Sequence, residues 1–375
     1  MASLSSLDND IALPSDNEDT IQCLSWSPAT NHLAAASWDG KVRIYDVAST
    51  GSARGVAALT AEAPVFSCDW AEDGQAVVAG GADKAVRIMD ASTGQQHVLG
   101  SHDSPVRGVR FASVPGAGGP IVVSGSWDRT IRFWDARSRP GNAVATLQCN
   151  ERVYSLDARV GLLVVATADL KIHLVDLKKP TAFLKTVPSP LRYQTRAVTA
   201  FPDGKGWATA SIEGRCGMNA VDGVDEKTTN FTFRCHRETA GETRNKVKNT
   251  DVYTVNDVKF HPVYTTTFLT AGSDGTLSFW DRIAHHRLRG YSLVASSSSS
   301  IGTTNLAAKN SNTPLPSSSP PPPSITATSF NRDGSLLAYA VGYDWSRGCI
   351  GNTPRTETKV MLHSVTDDDV RPKTV

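Results

Sequence analysis

Short apolar segments recur along the chain in a fixed order: an apolar strand, a turn with an acidic residue, and a second strand. In the clearest copy, Val122 and Val123 precede a turn at Asp128. After the turn, Ile131 and Phe133 alternate with polar neighbours. Runs rich in β-branched residues favour strands, and alternation with a period of two is typical of a strand with one buried face. The pattern therefore predicts a chain built from β-hairpins.

A second acid usually follows the turn acid, seven positions later. The pairs are Asp39 with Asp46, Asp83 with Asp90, Asp128 with Asp135, Asp169 with Asp176, and Asp274 with Asp281. Glu213 keeps the turn position, but Ala220 replaces the second acid. Successive turn acids lie 44, 45, 41, 44 and 61 residues apart. The first four intervals fit the roughly 40–45 residues of one four-stranded blade in a WD-repeat propeller.

A seventh unit begins at residues 325–330 and continues through residues 336–340. We therefore predict an all-β fold, a seven-bladed WD-repeat β-propeller, over residues 20–365. A β-sandwich is the alternative all-β fold, but it does not explain a period near 44 residues.

The segments outside the repeat have different compositions. Residues 1–19 carry five acids and no base and are expected to form a flexible lead, and residues 366–375 a C-terminal tail. Part of the lead, or the apolar residues 359–363, is expected to close the ring and remove its open sheet edges. Residues 295–324 are rich in serine and proline, a composition that cannot bury a core, so we expect a disordered insert there.

Composition excludes several classes of function. The formal net charge is +1, which disfavours a protein whose main role is to coat nucleic acid. None of the six cysteines belongs to a CxxC pair or a zinc-ligand spacing, so we expect reduced thiols in a reducing compartment, no metal and no cofactor. No stretch approaches 18 apolar residues, so no membrane insertion is expected.

One group of residues has the composition of a catalytic triad. The group consists of His102, Ser124, Asp128 and Trp134. The same residue types form a buried structural hydrogen-bond network in a WD blade, and we adopt that interpretation. The sequence contains no nucleotide-binding loop, HExxH or deaminase motif. We therefore predict that the protein is not an enzyme.

Departures from the repeat indicate a binding surface. Trp38 and Trp127 immediately precede their turn acids, at one rim of the ring, and Arg215 and Arg234 add fixed positive charge. Tryptophan and arginine are enriched in interface hot spots, and arginine pairs well with carboxylates. The pattern predicts a surface that binds an acidic, partly apolar peptide. The alternative is that the tryptophans pack on neighbouring loops and the arginines are ordinary solvated residues.

Several segments resemble a known family, the nuclear-pore-associated mRNA export WD-repeat factors. They include Ser37-Trp-Asp39, Gly125-Ser-Trp-Asp128, Ser211-Ile-Glu-Gly-Arg215, Asn230-Phe-Thr-Phe-Arg-Cys-His-Arg237, Phe260-His-Pro262 and Tyr343-Asp-Trp-Ser-Arg-Gly348. The resemblance covers roughly residues 20–365. The block at 230–237 is shared with the sister spindle-checkpoint family, whereas the run at 343–348 favours the export branch. The insert at 295–324 departs from the family.

The resemblance implies docking onto a nucleoporin segment, the GLEBS motif, and a role in export of polyadenylated RNA. It maps the peptide-binding positions onto Trp38, Trp127, Arg215 and Arg234. Basic surface in the family is associated with RNA, and the candidate residues here are Arg107, Arg110, Arg129 and Arg132. Messenger RNA or ribonucleoprotein and checkpoint proteins are further candidate partners.

The same resemblance implies a location in the nucleus, at the nuclear pore and envelope, with shuttling to the cytoplasm. Two other adaptor functions stay open: a checkpoint adaptor that binds GLEBS motifs of checkpoint kinases, and a substrate-recruiting subunit of a ubiquitin ligase.

Overall fold

The computed structural model describes residues 4–14, 16–48, 50–114, 119–137, 141–222, 229–239, 250–293, 323–346, 348–349 and 358–372. Within these ranges the protein is almost entirely β-structure, arranged as seven sheets of at least four strands each and one small two-stranded sheet. Neighbouring sheets contact through their first strands, and the last sheet contacts the first. The prediction of a seven-bladed β-propeller is confirmed.

Two short strands precede the first blade and are described below: β1 (Ser5–Ser6) and β2 (Ile11–Ala12). Blade 1 comprises β3 (Ile21–Trp26), β4 (His32–Ser37), β5 (Lys41–Val47) and β6 (Ala53–Thr60). Blade 2 comprises β7 (Val65–Trp70), β8 (Ala76–Gly81), β9 (Ala85–Asp90) and β10 (Gln96–Ser101). Blade 3 comprises β11 (Val106–Ala112), β12 (Ile121–Ser126), β13 (Thr130–Asp135) and β14 (Ala145–Gln148). Blade 4 comprises β15 (Val153–Arg159), β16 (Leu162–Thr167), β17 (Lys171–Asp176) and β18 (Lys185–Pro188).

Blade 5 comprises β19 (Thr195–Ala200), β20 (Gly206–Ser211), β21 (Arg215–Ala220) and β22 (Phe231–Arg234). A hairpin of β23 (Arg237–Thr239) and β24 (Thr250–Val252) follows it. Blade 6 comprises β25 (Val255–Phe260), β26 (Thr267–Gly272), β27 (Thr276–Asp281) and β28 (His286–Ser292). Blade 7 comprises β29 (Ser324–Phe330), β30 (Leu336–Gly342) and β31 (Lys359–Ser364). A short helix, α1 (Asp367–Val370), follows.

The core lies between the blades. The buried apolar side chains form seven clusters, and each cluster joins two neighbouring blades. One of them joins blade 1 to blade 7, for example Leu33 with Ala338 and Val360. Each blade therefore buries both of its faces, which explains why the middle strands are apolar on both sides.

The ring is closed by the beginning of the chain. Strand β2 pairs antiparallel with β31 and becomes the fourth strand of blade 7. Strand β1 pairs in parallel with β28 at the outer edge of blade 6. Leu7 and Leu13 are buried beside these strands. The expectation of a flexible lead over residues 1–19 therefore needs correction, because this segment supplies strands and core residues.

The two other segments outside the repeat are the predicted disordered insert at 295–324 and the predicted C-terminal tail at 366–375. Residues 294–322, which hold most of the predicted insert, lie outside the described residues, and Ser324 already belongs to β29. Within the predicted tail, Val370 is buried and Asp369 accepts a hydrogen bond from the Tyr291 hydroxyl (2.5 Å). No helix in the described ranges is long and apolar enough to cross a membrane.

A substitution of Asp10 tests whether the N-terminal segment stabilises the closed ring. The Asp10 carboxylate accepts hydrogen bonds from the Tyr339 hydroxyl (2.8 Å) and from His363 Nδ1 (2.8 Å), and both of these residues are buried. Asp10→Ala leaves them without an acceptor, so we expect a loss of about 1–3 kcal/mol in the free energy of unfolding. Urea unfolding measures this. Asp8→Ala, at an exposed neighbouring position, is the control, and equal stability of the two variants would contradict the closure role of Asp10.

Candidate functional site

The turns between the second and third strands of all blades lie on one face of the ring, which we call the upper face. Strands within a blade run antiparallel, so these turns share that face with the connections between successive blades. The loops between the first and second strands lie on the opposite face. Every candidate peptide-binding residue belongs to a turn or strand end at the upper face.

The turns are built alike because their acids make the same local bond. A backbone N–H two residues ahead donates to Asp39 (3.1 Å), Asp83 (3.2 Å), Asp128 (2.8 Å) and Asp274 (3.1 Å). This is the bond of an Asx turn. The residue after the acid has a positive φ, for example 85° at Gly40 and 69° at Gly275. The residue before each acid is thereby held at the rim of the upper face.

Four aromatic side chains from blades 7, 1, 2 and 3 form a continuous group, which we call the aromatic cluster: Trp345, Trp38, Phe66 and Trp127. Trp38 stacks on Trp345 with ring centroids 4.7 Å apart and contacts Phe66 at 5.5 Å. Phe66 in turn contacts Trp127 at 6.1 Å. Trp127 is 37% exposed, whereas Trp38 is half-buried by its neighbours. Phe66 thus joins the two tryptophans singled out in the sequence, and Trp345 extends the group beyond Trp38; the sequence pattern did not single out either of these two residues as binding residues.

Trp345 occupies a strained position. Its φ is 61°, a value that bulky residues rarely adopt. The preceding residue, Asp344, is buried, and its carboxylate accepts hydrogen bonds from Asn256 Nδ2 (3.2 Å) and from the Ser273 hydroxyl. These bonds anchor the turn of blade 7 to blade 6. The only sequence signal for Trp345 is the run at 343–348, which contributes to the family resemblance.

The two candidate arginines of blade 5 lie side by side. Arg215 begins β21, directly after the Glu213 turn, and pairs in register with Arg234 of β22. Arg215 Nε lies 3.7 Å from Glu213 Oε2, and its side chain is 29% exposed. Arg234 is exposed. The backbone around them is fixed by Arg237, which donates to the carbonyl oxygens of Glu213 (2.5 Å) and Gly214 (3.2 Å). Blade 4 separates this pair from Trp127.

The four arginines proposed for RNA contact do not share one surface. Arg107 and Arg110 lie on the inner strand β11 and line the central channel, whereas Arg129 is exposed at the turn of blade 3. Arg110 Nε lies 3.0 Å from Asp157 Oδ1, and Arg132 Nη2 lies 3.2 Å from Asp103 Oδ2. Only Arg129 combines exposure with the absence of an ion pair among the described residues. Arg107 and Arg110 face the channel because β11 is the innermost strand of blade 3. RNA contact by the four arginines stays a prediction.

The residues that imitate a catalytic triad form the predicted buried network. His102 Nδ1 is hydrogen-bonded to Asp128 Oδ2 (2.9 Å), and His102 Nε2 is hydrogen-bonded to Ser124 Oγ (2.7 Å). Trp134 Nε1 donates to the same hydroxyl at 2.8 Å. Ser124 is fully buried, so no substrate can reach it. Burial opposes ionisation of Asp128, but hydrogen bonds from His102 and Thr130 hold the pKa of its carboxyl well below the usual range.

Removal of the Asp128 carboxylate tests this network. Asp128→Ala leaves His102 and Thr130 without their acceptor, at a cost of about 1–3 kcal/mol for each unsatisfied group. We expect a lower melting temperature in a thermal scan. Asp203→Ala is the control, since the Asp203 carboxylate accepts a turn bond of the same kind from Lys205 N–H but lies at an exposed site. An unchanged melting temperature for Asp128→Ala would contradict the structural role.

Blade 6 contains an equivalent buried hydrogen-bond network, in which His236 and Asp274 form a pair of titratable groups. His236 Nδ1 lies 2.9 Å from Asp274 Oδ1, and His236 Nε2 lies 2.9 Å from the Thr270 hydroxyl. Although burial opposes its protonation, Asp274 raises the pKa of His236 above its ordinary value of 6.5. Burial likewise opposes ionisation of Asp274, yet His236 lowers the pKa of that carboxyl below 3.8.

These opposite shifts define a pH window. The contribution of His236 to stability is complete below pH 6.5 and is lost as the pH rises through its folded pKa. The contribution of Asp274 is complete above pH 3.8 and is lost as the pH falls through its folded pKa. The stability difference between wild type and Asp274→Asn should therefore be largest near pH 5 and shrink on either side. Unfolding measured across the pH range checks this, and a flat difference would contradict it.

Comparisons with known proteins agree with this architecture. The family described as "WD domain, G-beta repeat" matches residues 12–46, 56–90, 94–135 and 245–281. With its seven blades and recurring turn acids, the protein is a WD-repeat propeller. It is 47% identical to "WD40 repeat protein poxJ" of Penicillium oxalicum, over 98% of this chain and 96% of that protein.

Two further relatives carry names that describe a process. The chain is 43% identical to "mRNA export factor GLE2" of Chaetomium thermophilum, over 99% of this chain and 95% of that protein. It is 41% identical to "Poly(A)+ RNA export protein" of Schizosaccharomyces pombe, over 98% of this chain and 94% of that protein. The chain belongs to the family of WD-repeat mRNA export factors. A more distant relative, "Mitotic checkpoint protein bub-3" of Caenorhabditis elegans, is 33% identical over 91% of this chain and 89% of that protein.

Proposed function

We propose that this protein is a non-enzymatic adaptor whose upper face binds a GLEBS-type segment of a nucleoporin and that it supports mRNA export at the nuclear pore. The names of its relatives support the process. The observation that carries the proposal is the presence of the aromatic cluster and the Arg215–Arg234 pair on the same face of one rigid ring.

The aromatic cluster has the properties of an interface anchor. Trp127 leaves a large apolar surface in contact with water, and Trp38 is held in place by stacking between Trp345 and Phe66. Tryptophan dominates many interface hot spots. Side chains that are already ordered lose little conformational entropy when a partner binds. The cluster therefore favours a partner segment with apolar or aromatic side chains.

The arginine pair defines the other half of the partner's chemistry. Arg234 is exposed, and the separation of 3.7 Å between Arg215 and Glu213 is long for a charge-assisted hydrogen bond. Both guanidinium groups can therefore bind carboxylates of a partner. A segment that combines acidic with apolar side chains fits the face best, and this is the partner chemistry that we assign to the nucleoporin peptide.

In this proposal the protein acts in the nucleus and at the nuclear envelope and shuttles to the cytoplasm with its cargo. Direct contact with RNA stays a prediction, for which Arg129 is the best placed of the four candidate arginines. Arg107, Arg110 and Arg132 are committed to the channel or to neighbouring acids.

A spindle-checkpoint adaptor is the second candidate function. It is favoured by the 33% identity to a mitotic checkpoint protein and by the block at 230–237, which forms β22 and positions Arg234. The higher identity to export factors favours the first candidate. Depletion separates the two, since retention of polyadenylated RNA in the nucleus supports export, whereas loss of mitotic arrest with normal RNA export supports the checkpoint function.

Two substitutions test the proposed binding face. Arg215→Glu reverses the charge that would bind acidic side chains of the partner peptide, and Trp127→Ala removes an exposed aromatic anchor. We expect each to weaken binding of a GLEBS peptide by at least about tenfold, which corresponds to about 1.4 kcal/mol, without a change in melting temperature. Isothermal titration calorimetry with the purified full-length protein measures the affinity.

Arg332→Glu provides the matched control, because Arg332 is an exposed arginine on the opposite face of the ring. It should bind the peptide as the wild type does. Unchanged affinity in both Arg215→Glu and Trp127→Ala would place the docking site elsewhere. Affinity purification that recovers no GLEBS-containing nucleoporin would count against the identity of the partner.

A further inference from the structure

All seven inner strands carry a one-residue irregularity of register close to their upper end. Such a bulge re-aims the side chain of the extra residue. The bulged residues are Gln22, Phe66, Arg107, Tyr154, Arg196, Asn256 and Thr326. All of them except Tyr154 line one narrow cavity of about 60 Å³ in the central channel. We call this cavity the channel neck.

The charge of the channel neck is strongly unbalanced. Besides the thiol of Cys23, its ionisable lining comprises four basic residues and one carboxylate: Arg107, Arg110, Arg196, Lys259 and Asp257. Two of the bases have acidic partners, since Arg110 Nε lies 3.0 Å from Asp157 and Lys259 Nζ lies 3.5 Å from Asp257. Neither Arg107 nor Arg196 has a hydrogen-bond or ion-pair partner in the part of the chain that the structure describes. The neck therefore holds two guanidinium groups that no acidic side chain of the described residues pairs with directly.

Each of these two arginines is destabilised where it lies. Burial and the charge of Arg196 lower the pKa of Arg107 to about 10. Burial also lowers the pKa of Arg196, despite the more distant carboxylates of Asp344 and Asp257. The Nε atom of Arg196 is buried without an acceptor. Both side chains are partly buried, and a guanidinium group with little access to water is unfavourable without a counter-charge. An anion bound between them would therefore stabilise both groups.

We propose that the channel neck binds one oxyanion, a phosphate or carboxylate group held between Arg107 and Arg196. Guanidinium groups bind both kinds of oxyanion through paired N–H donors. The neck has room for such a group, since one water molecule needs only about 10–15 Å³ by the same measure. Asn256 lines the same cavity, and its Oδ1 is buried without a donor, which the hydroxyl of a protonated phosphate would supply.

The anion has two possible sources, a free phosphate or an acidic side chain of a partner bound on the upper face. The neck shares Phe66 with the aromatic cluster, but Trp38, Trp127, Trp345, Arg215 and Arg234 do not line it. An anion bound in the neck therefore does not depend on the identity of the docked peptide. The shared chemistry is one oxyanion per ring, and the two sources are distinguished by competition.

The test is a titration of the full-length protein with inorganic phosphate at constant ionic strength, followed by calorimetry and by the melting temperature. We expect saturable binding of one phosphate per chain and a rise in melting temperature. Arg107→Gln and Arg196→Gln should each weaken phosphate binding by roughly tenfold or more. Because each variant relieves the repulsion between the two arginines, its melting temperature in phosphate-free buffer should equal or exceed that of the wild type.

Arg159→Gln is the matched control, because Arg159 lines the wider cavity at the opposite mouth of the channel. It should bind phosphate as the wild type does. A titration repeated with a saturating GLEBS peptide assigns the source: loss of phosphate binding identifies a partner side chain in the neck, and retained binding identifies a free anion. The proposal would be overturned if phosphate showed no saturable binding to the wild type. It would also be overturned if Arg107→Gln and Arg196→Gln both bound phosphate with the affinity of the wild type. A lower melting temperature of both variants in phosphate-free buffer would also overturn it, because it would assign the arginines a purely structural role.

Discussion

The structure depends on the closure of the ring, because each blade buries its apolar side chains only against its two neighbours. Seven clusters join the seven blades, so an open ring would split the cluster that joins blade 1 to blade 7 and expose its two halves on the end blades. Closure comes from the start of the chain, where β2 adds to β31 and Asp10 bonds to Tyr339 and His363. The pairing also covers the free edge of blade 7, which would otherwise be open to another chain.

Closure makes the upper face rigid, and this rigidity allows unfavourable local features to persist there. Trp345 keeps a positive φ because Asp344 is bonded into blade 6, and Arg107 and Arg196 line the same narrow neck because their strands cannot separate. Strain and unpaired charge of this kind are concentrated at functional sites in many proteins. In this ring they lie at the upper end of the channel, on the same face as the aromatic cluster.

The two faces of the ring also differ in whether their charged side chains have ion-pair partners. Toward the opposite mouth, the channel widens to about 920 Å³, and its charged groups are largely paired, as in the bond between Arg110 and Asp157. At the upper face, Arg215 and Arg234 are available to solvent, and the aromatic cluster lies on the same face beyond blade 4. A surface with rigid aromatic groups and available cations is suited to an acidic, partly apolar segment.

The sequence by itself determined the architecture, because the turn acid acts locally. Asp128 bonds to a backbone N–H only two residues away, so the spacing of such acids reports the blades directly, and it also places Trp38 and Trp127 at the rim. Only the tertiary structure decided which side chains meet. Trp345 reaches Trp38 from the other end of the chain, the acidic lead becomes strands because β31 offers an unpaired edge, and Arg107 enters the channel because of a bulge. Contacts of this kind depend on ring closure, and no local pattern of residues encodes them.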